Sequence, residues 1–240
     1  MTDVRLVQPD VIRLPSQGPS LLLRLTVAGN FVFPAAWVLP PLGAVGTVPL
    51  ILRLLVGALW AGSWILGLHD PVPTRHPGRL AVSSLLLVSC LSYAALYAGW
   101  TGESTVAGRA SADRWMILLL ASLALVVVTA ETVRTLDDAL RFTRAMLRGA
   151  MFCTIVAVIQ FVLHVNPTEW IGMAMPGFEH NGGDTVYQVR GAMLRVAGTT
   201  FTPIELGVVC SMLLPLSIWR LVHDHSGHRW MHGLGTALLV

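Results

Sequence analysis

Lysine is absent from all 240 residues, and charge of either sign is scarce: sixteen arginines stand against thirteen acidic residues, 12% of the chain. A soluble domain has about a quarter of its residues charged. With 54% hydrophobic residues and a mean hydropathy of +0.67, this scarcity excludes a water-soluble fold and indicates a membrane protein. The missing lysine fits a GC-rich coding sequence better than any chemistry. A formal charge of +3, with scattered arginines, makes no basic patch, so nucleic acid is not an expected partner. Cysteine is limited to Cys90, Cys153 and Cys210, each inside an apolar run. They read as buried packing residues, not as a disulfide framework or metal site. Also missing is the basic-then-apolar layout of a cleaved signal peptide, since Asp3, Arg5, Asp10 and Arg13 precede any long apolar run. The first membrane helix is therefore expected to direct insertion. No phosphate-cradling loop, dinucleotide fingerprint or Ser-His-Asp pattern occurs, and no internal repeat.

What is present is a series of apolar runs. A bilayer span needs about 20 apolar residues, and six candidates fall at roughly 28–44, 48–68, 80–100, 115–131, 147–165 and 203–222. A seventh starts near Trp230 and stops at Val240 after about ten residues, half a span. The expectation is an all-α, polytopic transmembrane helical bundle forming the front part of a longer protein. Residues 1–27 are its cytoplasmic N-terminal segment and 28–240 its transmembrane domain. The first candidate carries Pro34, Pro40 and Pro41, which predicts a bent helix or a tight hairpin with the second.

Arginine placement sets the orientation. With the N-terminus inside, the inner segments hold Arg5, Arg13, Arg24, Arg75, Arg79, Arg134, Arg141, Arg144, Arg148, Arg220 and Arg229, and the outer ones hold only Arg109, Arg114, Arg190 and Arg195. This bias predicts a cytoplasmic N-terminus in a multi-pass membrane protein. The inner connection ETVRTLDDALRFTRAMLR spaces its charges helically and reads as an amphipathic interfacial helix. The outer connection from Asn166 to Thr200, about 35 residues, is long enough to be functional. Its Trp170, Met173, Met175, Phe178 and Tyr187 favour a surface lying on the membrane.

The polar residues concentrate at the mouth of the last span. Thr202-Pro203-Ile204-Glu205 has the N-cap, first-position proline and third-position glutamate of a capping box. Capping accounts for Glu205 without catalysis, because bare helix-end amides are costly near lipid. It does not account for Arg195. The guanidinium of Arg195, with Arg190 nearby, presents paired donors suited to phosphate oxygens, beside a helix start of positive potential. That describes an outer-face anion site, the alternative being a loop arginine resting on lipid phosphates. Arg53, about five residues into the second span, reads as snorkelling or as a buried functional cation. His228 and His232 have an i, i+4 spacing, but no further ligand completes a metal pattern, and a solvated loop is the better reading. His180, in EHNGGDT, is either a base or a turn residue.

The run RVAGTTFTPIELGVVCSMLLPL resembles the O-antigen ligase/polymerase family, in which an R-x-x-G-[ST]-x-x-x-P pattern closes an external segment and opens a membrane helix. The matching positions are Arg195, Gly198, Thr199, Pro203 and Gly207, then Leu214, Pro215 and Leu216. Many members carry asparagine after the proline, where this chain has Ile204 and Glu205. The resemblance implies a GT-C-like, metal-independent membrane glycosyltransferase without a cofactor. It implies transfer of a glycan from an undecaprenyl-diphosphate carrier to an acceptor glycan or lipid on the outer face, in polysaccharide polymerisation or ligation. Arg195 would be the catalytic residue, with Arg190, Arg195, Thr199 and Glu205 binding the carrier. Family members place further arginines and a histidine in a later external loop. The rival expectation is a non-catalytic membrane protein: a transporter of a lipid-linked or anionic solute, or the partner subunit of a split enzyme. Transporters usually show repeated halves with broken helices, and neither occurs here.

Overall fold

A computed structural model describes residues 19–68, 78–100, 102, 105–183, 185–191, 193–223, 233 and 235–237. Most of the N-terminal segment, Arg75, the 224–232 histidine run and most of the seventh apolar run lie outside the described residues. The fold is mostly helical, and five helices are long and apolar enough to cross a membrane. They are α2 (Val48–Ile65), α3 (Gly78–Tyr97), α4 (Val106–Thr132), α5 (Leu136–Leu163) and, beyond an intervening cap, α7 (Pro203–His223).

The first expected span, 28–44, is not a span. The chain instead forms α1, Leu21–Val32, of 12 residues. At 1.5 Å per residue this is roughly 18 Å, too short for a hydrocarbon core of about 30 Å. Ser20 starts it by accepting the Leu23 N–H, and Phe33 turns extended ahead of Pro34. The chain then runs through a two-residue strand β1 (Trp37–Val38) and a 3-10 turn over Pro40–Val45 into α2. A tight hairpin with α2 thus replaces the first span.

The interfacial helix expected between the fourth and fifth spans is absent as a separate element. Thr135 and Asp138 form a capping box, and α5 runs unbroken for 28 residues. The Asp137–Arg141 ion pair (3.7 Å) lies on its first turns. A helix of that length, about 42 Å, outreaches the bilayer core, so its charged start has room beyond it.

The short α1 is the centre of the bundle. Leu23 and Val27 pack with Val56 of α2 and Val128 of α4, flanked by Trp60, Phe142 and Met146. Gly149 of α5 meets the α1 backbone so closely that a Cβ there would lie 2.5 Å from the Ala28 carbonyl oxygen. Ala150 and Leu213 join α5 to α7, with Phe31 against them. At one end of the bundle Glu131 is buried, accepting the Trp60 indole N–H (2.6 Å) and pairing with Arg79. At the other end the long connection after α5 is structured. It holds a short helix α6 (Pro167–Met173), β2 (Glu179–His180), and a hairpin of β3 (Tyr187–Arg190) with β4 (Met193–Val196). These strands qualify the all-α expectation. β2 pairs antiparallel with β1, so the first and last connections at this end are stitched together.

Candidate functional site

The expected anion site lies at the hairpin end. β3 and β4 pair Gln188 with Arg195 and Arg190 with Met193, around a turn where Gly191 takes a left-handed φ of 64°. Cross-strand partners share a face and alternate residues along a strand repeat it. Arg190 and Arg195 therefore stand on one face of the hairpin, in a diagonal relation. Both are exposed. Neither has a hydrogen-bonding or ionic side-chain partner among the described residues. Tyr187 is on the opposite face, and burial, then the charge of Glu169, pushes its phenol pKa up, so it stays neutral.

Arg195 and Val196 form one wall of a groove of about 570 Å³. α5 supplies Thr154, Ala157, Val158 and Phe161, and α7 supplies Pro203, Ile204, Leu206, Gly207 and Cys210. Arg195 is the only charged group among these residues. The Thr154 hydroxyl is already donated to the carbonyls of Ala150 and Met151. The groove is thus an apolar slot between two membrane-length helices with a cation at its mouth.

The start of α7 forms the lower rim. Thr202 Oγ1 accepts the Glu205 N–H (3.3 Å), and the Thr202 carbonyl accepts that of Leu206 (3.2 Å). Glu205 in turn accepts the Phe201 N–H (3.0 Å), one residue earlier than the reciprocal bond of a standard capping box. With proline at position 203, the Ile204 N–H alone of this turn has no acceptor among the described residues. Glu205 is therefore engaged in capping while remaining exposed.

Thr199 sits elsewhere than its expected substrate-binding place suggests. It is 2% exposed, and its hydroxyl donates to the Phe31 carbonyl at the end of α1. Its own carbonyl accepts the Ala35 N–H (3.0 Å). Thr199 lies behind the site and ties it to α1. Gly198 has a left-handed φ of 63°, and a Cβ there would lie 2.8 Å from the Cys153 carbonyl oxygen. Only glycine fits this conformation and approach. The small residues of the Arg-x-x-Gly-Thr run thus dock a loop on α5, and leave the arginine outside.

Arg53 neither snorkels alone nor joins this groove: its Nε donates to Asn30 of α1 (2.9 Å). His180 is packed edge-on against Trp37 (5.8 Å between ring centres). The Gly182 N–H donates to its Nδ1 (3.2 Å), which assigns the proton of the neutral ring to Nε2. That arrangement fits the turn reading of His180. Among the described residues no three His, Cys, Asp or Glu side chains gather as metal ligands would.

Sequence reasoning missed Gln160 and Asn166. Gln160 is fully buried on α5, where a polar amide inside an apolar run was the available signal. Asn166 caps α6, and Asn-Pro before a short polar stretch was the signal there. No protein-family model, curated protein or solved structure matches the chain.

Proposed function

We propose that this chain is a membrane glycosyltransferase of the O-antigen ligase/polymerase kind. It moves a glycan from an undecaprenyl-diphosphate carrier to an acceptor glycan or lipid on the outer face of a bacterial inner membrane. The observation that carries the reading is the position of Arg195: an exposed guanidinium at the mouth of an apolar groove between two membrane-length helices. A lipid-linked diphosphate has the matching halves, an apolar chain for the groove and a dianionic head for the fork.

In this reading the acceptor hydroxyl oxygen bonds to the anomeric carbon as the bond from that carbon to the diphosphate oxygen breaks. The hydroxyl proton passes to a base, and the carrier diphosphate leaves with the bonding pair. Negative charge grows on the leaving oxygen, and a fixed cation there stabilises the transition state more than the ground state. Arg195 supplies the fork, with the Ile204 N–H at the start of α7 as a second donor. Arg190, on the same hairpin face, adds positive potential. The arginine bias supports placing this end outside: Arg109, Arg114, Arg190 and Arg195 occupy it, while Arg24, Arg79, Arg134, Arg141 and Arg220 belong to the other end.

The test is glycan transfer by the full chain in membranes. Arg195→Ala is expected to lower the rate by about a hundredfold or more, the scale of removing one oxyanion-stabilising donor, with insertion intact. Arg195→Lys retains charge without the fork and is expected to fall between. Wild-type transfer by Arg195→Ala would sink the assignment.

A further inference from the structure

We infer that Gln160 is a positioning residue, which sets where Arg195 stands in the groove. The inference rests on the reading of Arg195 given above. Gln160 lies one turn before the end of α5 and is 0% exposed. Its side-chain amide brackets one residue of the distant loop: Oε1 accepts the Gly198 N–H (2.7 Å), and Nε2 donates to the Gly198 carbonyl (3.1 Å). Gly198 is three residues beyond Arg195 in the same run.

The bracket fixes more than one bond. Gly198 presses against the α5 backbone, where a Cβ would lie 2.8 Å from the Cys153 carbonyl oxygen. Ala197, just before it, is fully buried and donates its N–H to the Val186 carbonyl (3.1 Å). Arg195 is paired with Gln188 across the hairpin. The strand carrying Arg195 is therefore held in height and twist by its junction with α5, and Gln160 makes that junction by hydrogen bonding. Nε2 also donates to Asn166 Oδ1 (3.1 Å), whose Nδ2 donates to Glu169 Oε1 (3.1 Å). Three segments meet at one buried amide: the end of α5, the start of α6 and the Gly198 turn.

A fully buried amide in an apolar helix is costly unless satisfied. A structural role would require only that its own donors and acceptor be met. Here they are met by the backbone of the loop that holds the cation, so the loop cannot slide without breaking two bonds together. Misplacement of a binding group by about 1 Å can cost a hundredfold in rate.

The experiment uses the full chain in lipid nanodiscs, with farnesyl diphosphate as the binding probe and the unfolding midpoint read alongside. Gln160→Met fills similar space without hydrogen bonding. It is expected to weaken probe binding by roughly tenfold, the effect of losing one bond to a charged group. In an Arg195→Lys background it is expected to add no comparable loss, because the fork that needed placing is gone. The drop in unfolding midpoint is expected in both backgrounds. Gln160→Glu retains an acceptor for the Gly198 N–H and, protonated when buried, one donor, so it is expected to recover most of the binding. That variant also keeps the test decisive if Gln160→Met does not fold. Unchanged probe binding by Gln160→Met, or the same fold-loss in both backgrounds, would overturn the inference. Unchanged binding by Arg195→Ala would instead overturn the reading of Arg195, and the inference with it.

Discussion

Gly149→Ala should loosen the bundle at its centre. The added methyl would lie 2.5 Å from the Ala28 carbonyl oxygen and 2.9 Å from its Cα. Both are backbone atoms of a packed helix, with no flexible side-chain tip to swing aside. Ordinary contact begins near 3.4 Å, so α1 and α5 must part by about 1 Å, and overpacking of this kind costs about 1–3 kcal/mol. Alanine returns up to about 1 kcal/mol of helix propensity. Gly62→Ala in α2 isolates that gain, because nothing lies within 4 Å of a Cβ there. The unfolding midpoint of the purified full chain should fall for Gly149→Ala and stay or rise for Gly62→Ala. Since Thr199 grips the Phe31 carbonyl at the end of α1, Gly149→Ala should also reduce glycan transfer. Equal stability of the two variants would refute the close crossing of α1 and α5.

Three further outcomes are expected. Glu205→Gln should leave transfer near wild type, since an amide oxygen still accepts the Phe201 N–H; a loss like that of Arg195→Ala would make Glu205 part of the chemistry. Trp60→Phe keeps an aromatic ring but removes the N–H donated to Glu131 along with part of the indole's contacts, and should cost at least about 1.5 kcal/mol in unfolding free energy, the lower end of the scale for a bond to a charged group. Thr135→Ala removes the cap of α5 and should cost about 0.5–2 kcal/mol, with little change in KM for the carrier because that end is remote from the groove.

The spans were legible wherever hydropathy alone decides. Three of the five membrane-length helices, α2, α3 and α7, lie close to their expected positions, while α4 and α5 start well ahead of their apolar runs, α4 because Thr105 caps it at Val106. The cap at Thr202 and Glu205 was also legible, since its residues are adjacent. The start of α1 is masked in the hydropathy pattern, although Ser20 before an apolar run is a cap signal. Hydropathy favours the longest apolar window, whereas Pro34 decides where the helix stops. The continuity of α5 was hidden similarly: charges look like a loop in a hydropathy plot, but Thr135 and Asp138 are a helix start. The strand pairing at the hairpin end was least legible. β1 and β2 are two residues each and come from distant parts of the sequence, so no local pattern announces their pairing. For the site, Arg195 stood out as the residue that capping left unexplained. Its support did not, because Gln160 and Gly198 are 38 positions apart.

In the proposed function a polyprenyl diphosphate lies along the α5–α7 groove with its head at Arg195. Photo-crosslinking with a polyprenyl diphosphate bearing a diazirine on its chain reports that position. Labelling is expected at groove residues such as Phe161, Ile204 and Cys210, with competition by unlabelled farnesyl diphosphate and loss of labelling in Arg195→Ala. Labelling spread evenly over the lipid-facing helices, unchanged by competitor or by Arg195→Ala, would contradict it.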